Sequence, residues 1–141
     1  MQSLAEELLY TTVRLEGQKK DGSSVGTGFF FFHESRLWVV TNKHVVEGVH
    51  SGHFYVLKGE EDNGEKIPVL GEFHTVQFSE TSFIGHPDPD VDVAVMNASQ
   101  IMSDDGGIGA TAFWKHISES LFPTTEQIDR FIGPMEEIVF I

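Results

Sequence analysis

Hydrophobic and polar positions change period several times along the 141 residues, and each change marks an element. Leu4, Leu8 and Leu9 recur at helical spacing behind Ser3, with Glu6 three residues further on, which predicts a short capped amphipathic helix over residues 1–9. From Tyr10 the period becomes two. YTTVRLEG sets Thr11, Val13 and Leu15 opposite Tyr10, Thr12, Arg14 and Glu16, the pattern of a half-buried strand. Asp21-Gly22 within KKDGSS predicts a hairpin turn, because glycine accepts a positive φ at little steric cost. VGTGFFFF returns as a second strand, and its continuous apolar end predicts burial on both faces. LWVVT is a third, ended by Thr41-Asn42, a pair suited to cap a following turn. HFYVLKG, KIPVLGEF and HTVQFSET predict further strands between Gly- and Asp-rich turns. DVDVAVMN alternates, with Val91, Val93 and Val95 on one face.

Beyond Asn97 the alternation fades. SQIMSDDGGIGATAF is loop-like, TTEQIDRFIG predicts a capped helical turn near 124–131, and EEIVFI begins a new strand. The chain thus divides into an N-terminal helix over 1–9, a β domain over 10–98 and a connecting region over 99–141. The expected class is all-β and antiparallel, and no internal repeat or low-complexity segment interrupts it.

Composition narrows the partners more than the fold. Hydrophobic residues make up 40% of the chain and include twelve Phe, enough for one compact core, while 14 Gly and 5 Pro argue for many tight turns and against an all-helical protein. Nine basic residues against 22 acidic ones give a formal net charge of -13, which repels phosphate backbones and anionic lipid, so neither nucleic acid nor a membrane surface is an expected partner. The absence of cysteine removes disulfides, thiolate nucleophiles and Cys-ligated zinc. MQSLAEELLY lacks the basic start and long apolar stretch of a secretory signal, and cytoplasmic residence is the expectation.

His44 is the residue that asks for a chemical explanation. It stands in WVVTNKHVVEG, just past the end of an apolar β-branched run, where packing, metal binding and proton transfer are all open to it. Asp92, leading the Val-Ala-Val run of a later strand, offers a partner: a carboxylate that accepts from one imidazole nitrogen fixes the tautomer and leaves the other nitrogen to take a hydroxyl proton. Asp90 is the rival for that role. Of the remaining histidines, His50 and His53 in HSGH with His74 and His86 complete no recognised ligand spacing and read as exposed polar residues. Gly26 and Gly28 are not followed by the Lys-Ser/Thr of a phosphate loop, and mark a strand approached closely by other backbone. KGEEDNGEK reads as a solvated hairpin.

GTGFFFF, VVTNKHVVEG and DVDVAVM together resemble, in order, the Gly-x-Gly-Phe strand, the Thr-x-x-His motif and the Asp-hydrophobic-Ala-hydrophobic motif of trypsin-like serine peptidases, closest to the bacterial, disulfide-free branch. The resemblance runs from about Val13 to Val95, and Lys43 stands where that family commonly has a small residue. It implies an N-terminal six-stranded antiparallel β-barrel of a two-barrel fold. It also implies His44 as general base, Asp92 as its orienting carboxylate, a peptide or protein substrate, and no metal or cofactor. The family's serine, in Gly-x-Ser-Gly-Gly, has no counterpart here: Ser99, Ser103, Ser118 and Ser120 lack the glycine-flanked elbow, and SDDGG would put carboxylates where an oxyanion needs amides. The expectation is therefore the N-terminal part of a serine endopeptidase, a truncated or shortened piece that is inactive by itself, with EEIVFI as the first strand of a second barrel. A non-catalytic binding module, self-associating through the face a second barrel would cover, is the alternative.

Overall fold

The computed structural model describes residues 8–121. Three hairpins build most of it. β1 (Thr12–Lys19) keeps the alternation seen in the sequence, with Thr11, Val13 and Leu15 buried and Arg14 exposed. It turns through Lys20 and Asp21 into β2 (Gly22–His33), so the turn sits one residue before the predicted Asp21-Gly22 pair, with Lys19 opposite Gly22. β2 returns through Glu34 and Ser35, both at positive φ, into β3 (Arg36–Thr41). A single helical turn, α1 (Lys43–Val46), leads to β4 (Val49–Asp62), which pairs with β5 (Glu65–Phe78). The connecting Asn63-Gly64, at φ 54 and 82, has the left-handed backbone that two-residue hairpin turns require, so the acidic stretch is the exposed hairpin it promised to be.

β4 and β5 correct the expected division of this region into three strands. Each runs 14 residues without interruption. Leu57 pairs with Phe73 but Lys58 with Val69, so residues 70–72 stand out as a bulge, with Gly71 at φ 85 in it. The break that the sequence pattern suggests is absorbed within one strand. A second correction falls on DVDVAVMN, of which only Ala94–Asn97 is strand, here β7. β6 (Ile84–Gly85) pairs with it, and the residues between form a loop closed at its base by His86 N–H donating to Val93 O at 2.8 Å. Pro87 and Pro89 bring no ladder donors, and the amides of Asp88 and Asp90 donate to His86 Nδ1 and Asp88 Oδ1, so this loop satisfies itself locally instead of extending the strand. A third concerns the Phe run: Phe30 is buried at 1% exposure, but Phe32 on the same face is 40% exposed and Phe29 and Phe31 on the other face are half-buried, so the run is not buried on both faces.

The strand order is β5-β4-β1-β2-β3-β7-β6, antiparallel throughout, with a short β8 (Ile117–Ser118) parallel to the end of β2. The fold is all-β. A closed six-stranded barrel is not what these ladders form: the sheet is open, and among the described residues no ladder joins β5 to β6 or β7. Even so, Phe78 of β5 and Met96 of β7, from opposite ends of the strand order, share one core with Leu15, Phe30, Val39, Val49 and Phe54. The sheet therefore wraps around its apolar contents. The segment after β5 helps to cover the opening, where Phe83 meets Phe78 edge-on at 5.4 Å between ring centroids. Residues beyond Asn97 fold back on the same core, Met102, Ala112 and Phe113 being buried and Phe113 N–H donating to Leu57 O at 2.8 Å. Among the described residues no helix is long and apolar enough to cross a membrane. Most of the helix expected over 1–9, the helical turn near 124–131 and the strand EEIVFI lie outside the described residues.

Candidate functional site

The site begins where β3 ends. Thr41, buried at 5% exposure, donates its hydroxyl to Thr27 O at 2.9 Å and fixes the strand end against β2. Asn42 is extended, and the chain then makes the one turn of α1, in which Val45 N–H donates to Asn42 O and Glu47 N–H to Lys43 O. So short a helix has little stability of its own. Packing and side chains from the first hairpin supply it. Val45 and Val46 are buried, and Val45 rests directly on Gly26, where a Cβ would lie 2.4 Å from one of its methyls. The glycine-containing strand is thus the bed for this turn. Lys19 Nζ donates to His44 O at 2.9 Å and Ser24 Oγ to Val45 O at 2.8 Å, satisfying carbonyls that a longer helix would have used.

With its backbone held in this way, His44 projects outward, its side chain 71% exposed. Asp92 meets it from the loop before β7. One carboxylate oxygen, Oδ2, lies 2.5 Å from His44 Nδ1, and the other, Oδ1, accepts from the His44 backbone N–H at 3.1 Å. The structure thus brings together the two residues singled out from the sequence. The hydrogen bond from the His44 side chain, with smaller help from the His44 backbone amide, holds the Asp92 carboxyl below its ordinary value of 3.8 despite some opposing desolvation. An ionised carboxylate can only accept, so the proton of the neutral imidazole belongs on Nδ1 and Nε2 keeps a lone pair. Among the described residues nothing bonds to Nε2. Such a nitrogen can take a proton from a hydroxyl and return it.

Asp90, the rival carboxylate, is exposed in the same loop and is not brought to His44; its amide donates to Asp88. The other histidines weighed as metal ligands are dispersed. His53 pairs with Glu16 at 3.2 Å, His74 bonds Thr111, His86 accepts from the Asp88 amide, and His50 is exposed. Among the described residues no three metal-ligating side chains converge. Ser99, Ser103 and Ser118 bond to Leu37 N–H, Gln100 O and Ser120 respectively.

Two neighbours of His44 have roles that the sequence did not disclose. Asn42, expected to cap the following turn, makes no side-chain cap bond; its amide donates instead to Asp92 O at 2.9 Å. Lys43 runs along Gly85 and donates Nζ to Asp88 O at 3.0 Å. Both partners are backbone carbonyls remote in sequence, for which no residue pattern gives a signal.

No family model, curated protein or solved structure matches the chain. Geometry and the ordered motifs are what bear on its function.

Proposed function

We propose that this chain supplies the general base and orienting carboxylate of a trypsin-like serine endopeptidase, His44 and Asp92, to a nucleophilic serine carried elsewhere. The observation that carries this reading is the double grip of Asp92 on His44, one oxygen on the ring and one on the backbone amide, with the second ring nitrogen outward and free. The strand order adds support, since β5-β4-β1-β2-β3-β7-β6 closes into a barrel if β5 meets β6, and we read the open seam as the place of that closure.

The chemistry is acyl transfer. The serine hydroxyl attacks a peptide carbonyl while His44 Nε2 accepts its proton, and the imidazolium so formed is stabilised by Asp92; the same nitrogen then protonates the leaving amine. Water repeats the sequence on the acyl-enzyme. Neither metal nor cofactor takes part in these steps. The substrate is a peptide or protein.

No Gly-x-Ser-Gly element occurs in the 141 residues, so this polypeptide alone is expected to cleave no casein and to take up no fluorophosphonate. The test is the coding sequence downstream of Ile141: a Gly-x-Ser-Gly element is expected there, and the longer polypeptide should be labelled by fluorophosphonate at that serine, at least a hundredfold more slowly once His44→Ala removes the base. Labelling of the 141-residue chain itself, or the lack of any such element downstream, contradicts the proposal.

One observation favours the alternative of a self-associating binding module. Tyr55, Phe73 and Leu9 are 47%, 48% and 58% exposed around an apolar hollow of about 260 Å³. On that alternative the chain sediments as a dimer at high concentration, and a strictly monomeric species excludes it.

A further inference from the structure

Asp92 lacks the support its neighbours enjoy. It precedes β7 and belongs to no ladder, and its side chain is 48% exposed; the loop's own bonds, His86 N–H to Val93 O, Val91 N–H to Asp88 O and the Asp88 and Asp90 amides to side chains, close the loop on itself, but none of them joins it to the turn that carries His44. What ties that loop to the turn is the pair Asn42 and Lys43, at the start of α1. Asn42 Nδ2 donates to the carbonyl of Asp92 at one end of the segment, and Lys43 Nζ donates to the carbonyl of Asp88 at the other, 2.9 and 3.0 Å long. The Lys43 stem lies over Gly85 on β6, so close that a Cβ there would come within 3.2 Å of it. Two consecutive side chains thus grip the Asp88–Asp92 segment, and the third residue of the same run, His44, receives what the segment carries.

We infer that Asn42 and Lys43 are positioning residues, a two-point clasp that sets Asp92 at the depth where its oxygens reach both the His44 ring and the His44 amide. The inference rests on the proposed function for what the pair does. It also explains Lys43: where the resembled family commonly has a small residue, this chain has a long cation whose ammonium lies on the loop before the carboxylate. A small residue at 43 could not span that distance. Neither side chain bonds to His44 or to the Asp92 carboxylate, so both act through the backbone of the loop alone.

The experiment is nitrogen-15 NMR of the His44 ring in the whole chain, at a pH where the imidazole is neutral. In the native sequence the shifts should report a protonated Nδ1 and a bare Nε2, set by Asp92. In Asn42→Ala, and in Lys43→Met as a variant that removes the ammonium but keeps much of the apolar stem, the ring should move toward the averaged shifts of an unconstrained imidazole. The double variant should approach the shifts of Asp92→Ala, while Asn42→Gln should restore part of the native value. Dispersed amide signals from β1 to β4 show that each variant is folded, and a simple loss of stability leaves the tautomer of the folded fraction unchanged. Native tautomer shifts retained in the single and double variants overturn the clasp while leaving the pair intact. An unconstrained ring in the native chain overturns the pair and the clasp together.

Discussion

His44 and Asp92 form a bond whose strength depends on which groups are charged, and that dependence can be read out. The folded carboxyl of Asp92 titrates below its ordinary 3.8, chiefly because the His44 ring bonds its ionised form. A group whose folded value is depressed contributes stability above its unfolded value and loses that contribution as pH falls through the folded one. Native protein should therefore be more stable than Asp92→Asn near neutrality, and the difference should shrink to nothing below the ordinary carboxylate range, as checked by urea unfolding at a series of pH values. A difference that persists unchanged into acid contradicts the ionised pair. Both members of the pair were legible in the sequence, because each stands in a stretch that resembles a motif with that residue type at that place. Asn42 and Lys43 were not legible in the same way. Asn42 reaches a carbonyl 50 positions away and Lys43 one 45 positions away, and a backbone acceptor leaves no trace in residue identity.

α1 and the strand beneath it work as one element. Gly26 gives α1 its seat, since any side chain there meets Val45, and α1 in turn aims His44. Gly26→Ala should cost about 1–3 kcal/mol in denaturant unfolding through overpacking, and should speed hydrogen exchange at the Val45 and Glu47 amides more than at those of β4. An unchanged midpoint and unchanged exchange would mean that α1 does not rest on β2. Elements with strong local signals were readable: β1 from its alternation, β3 from its β-branched and aromatic content, and the KGEEDNGEK hairpin from its acidic, solvated composition. Those governed by pairing were not. A bulge lets β5 continue past Gly71, where the local pattern suggests two strands, and the prolines of the 86–93 loop end what its alternating valines propose as strand.

For the molecule as a whole, one core ties the site to the fold. Phe54, wholly buried, touches Phe30 and Phe78, so it links β4 to β2 and β5. Phe54→Ala should lower the unfolding free energy by about 3–5 kcal/mol, measured by urea titration; a loss under about 1 kcal/mol would deny that the wrapped sheet shares one core. The formal charge of -13 acts over the same scale. Added sodium chloride should raise the melting temperature from its low-salt value by screening self-repulsion, and a melting temperature that falls with salt would show that attractive pairs dominate. Closure of the sheet was the feature the sequence could not decide. Strand order follows from which segments are strands, but whether the last meets the first depends on the reach of β6 and of the segment around Phe83, which carry little periodic signal.

The central claim is that Asp92 holds His44 with its proton inward and its basic nitrogen outward. Neutron diffraction from a deuterium-exchanged crystal at neutral pH sees that proton directly. Nuclear density for deuterium on Nδ1, between the ring and Asp92, with Nε2 bare, is the predicted result. Deuterium on Nε2 with Nδ1 bare, or an imidazole turned away from Asp92, would contradict it.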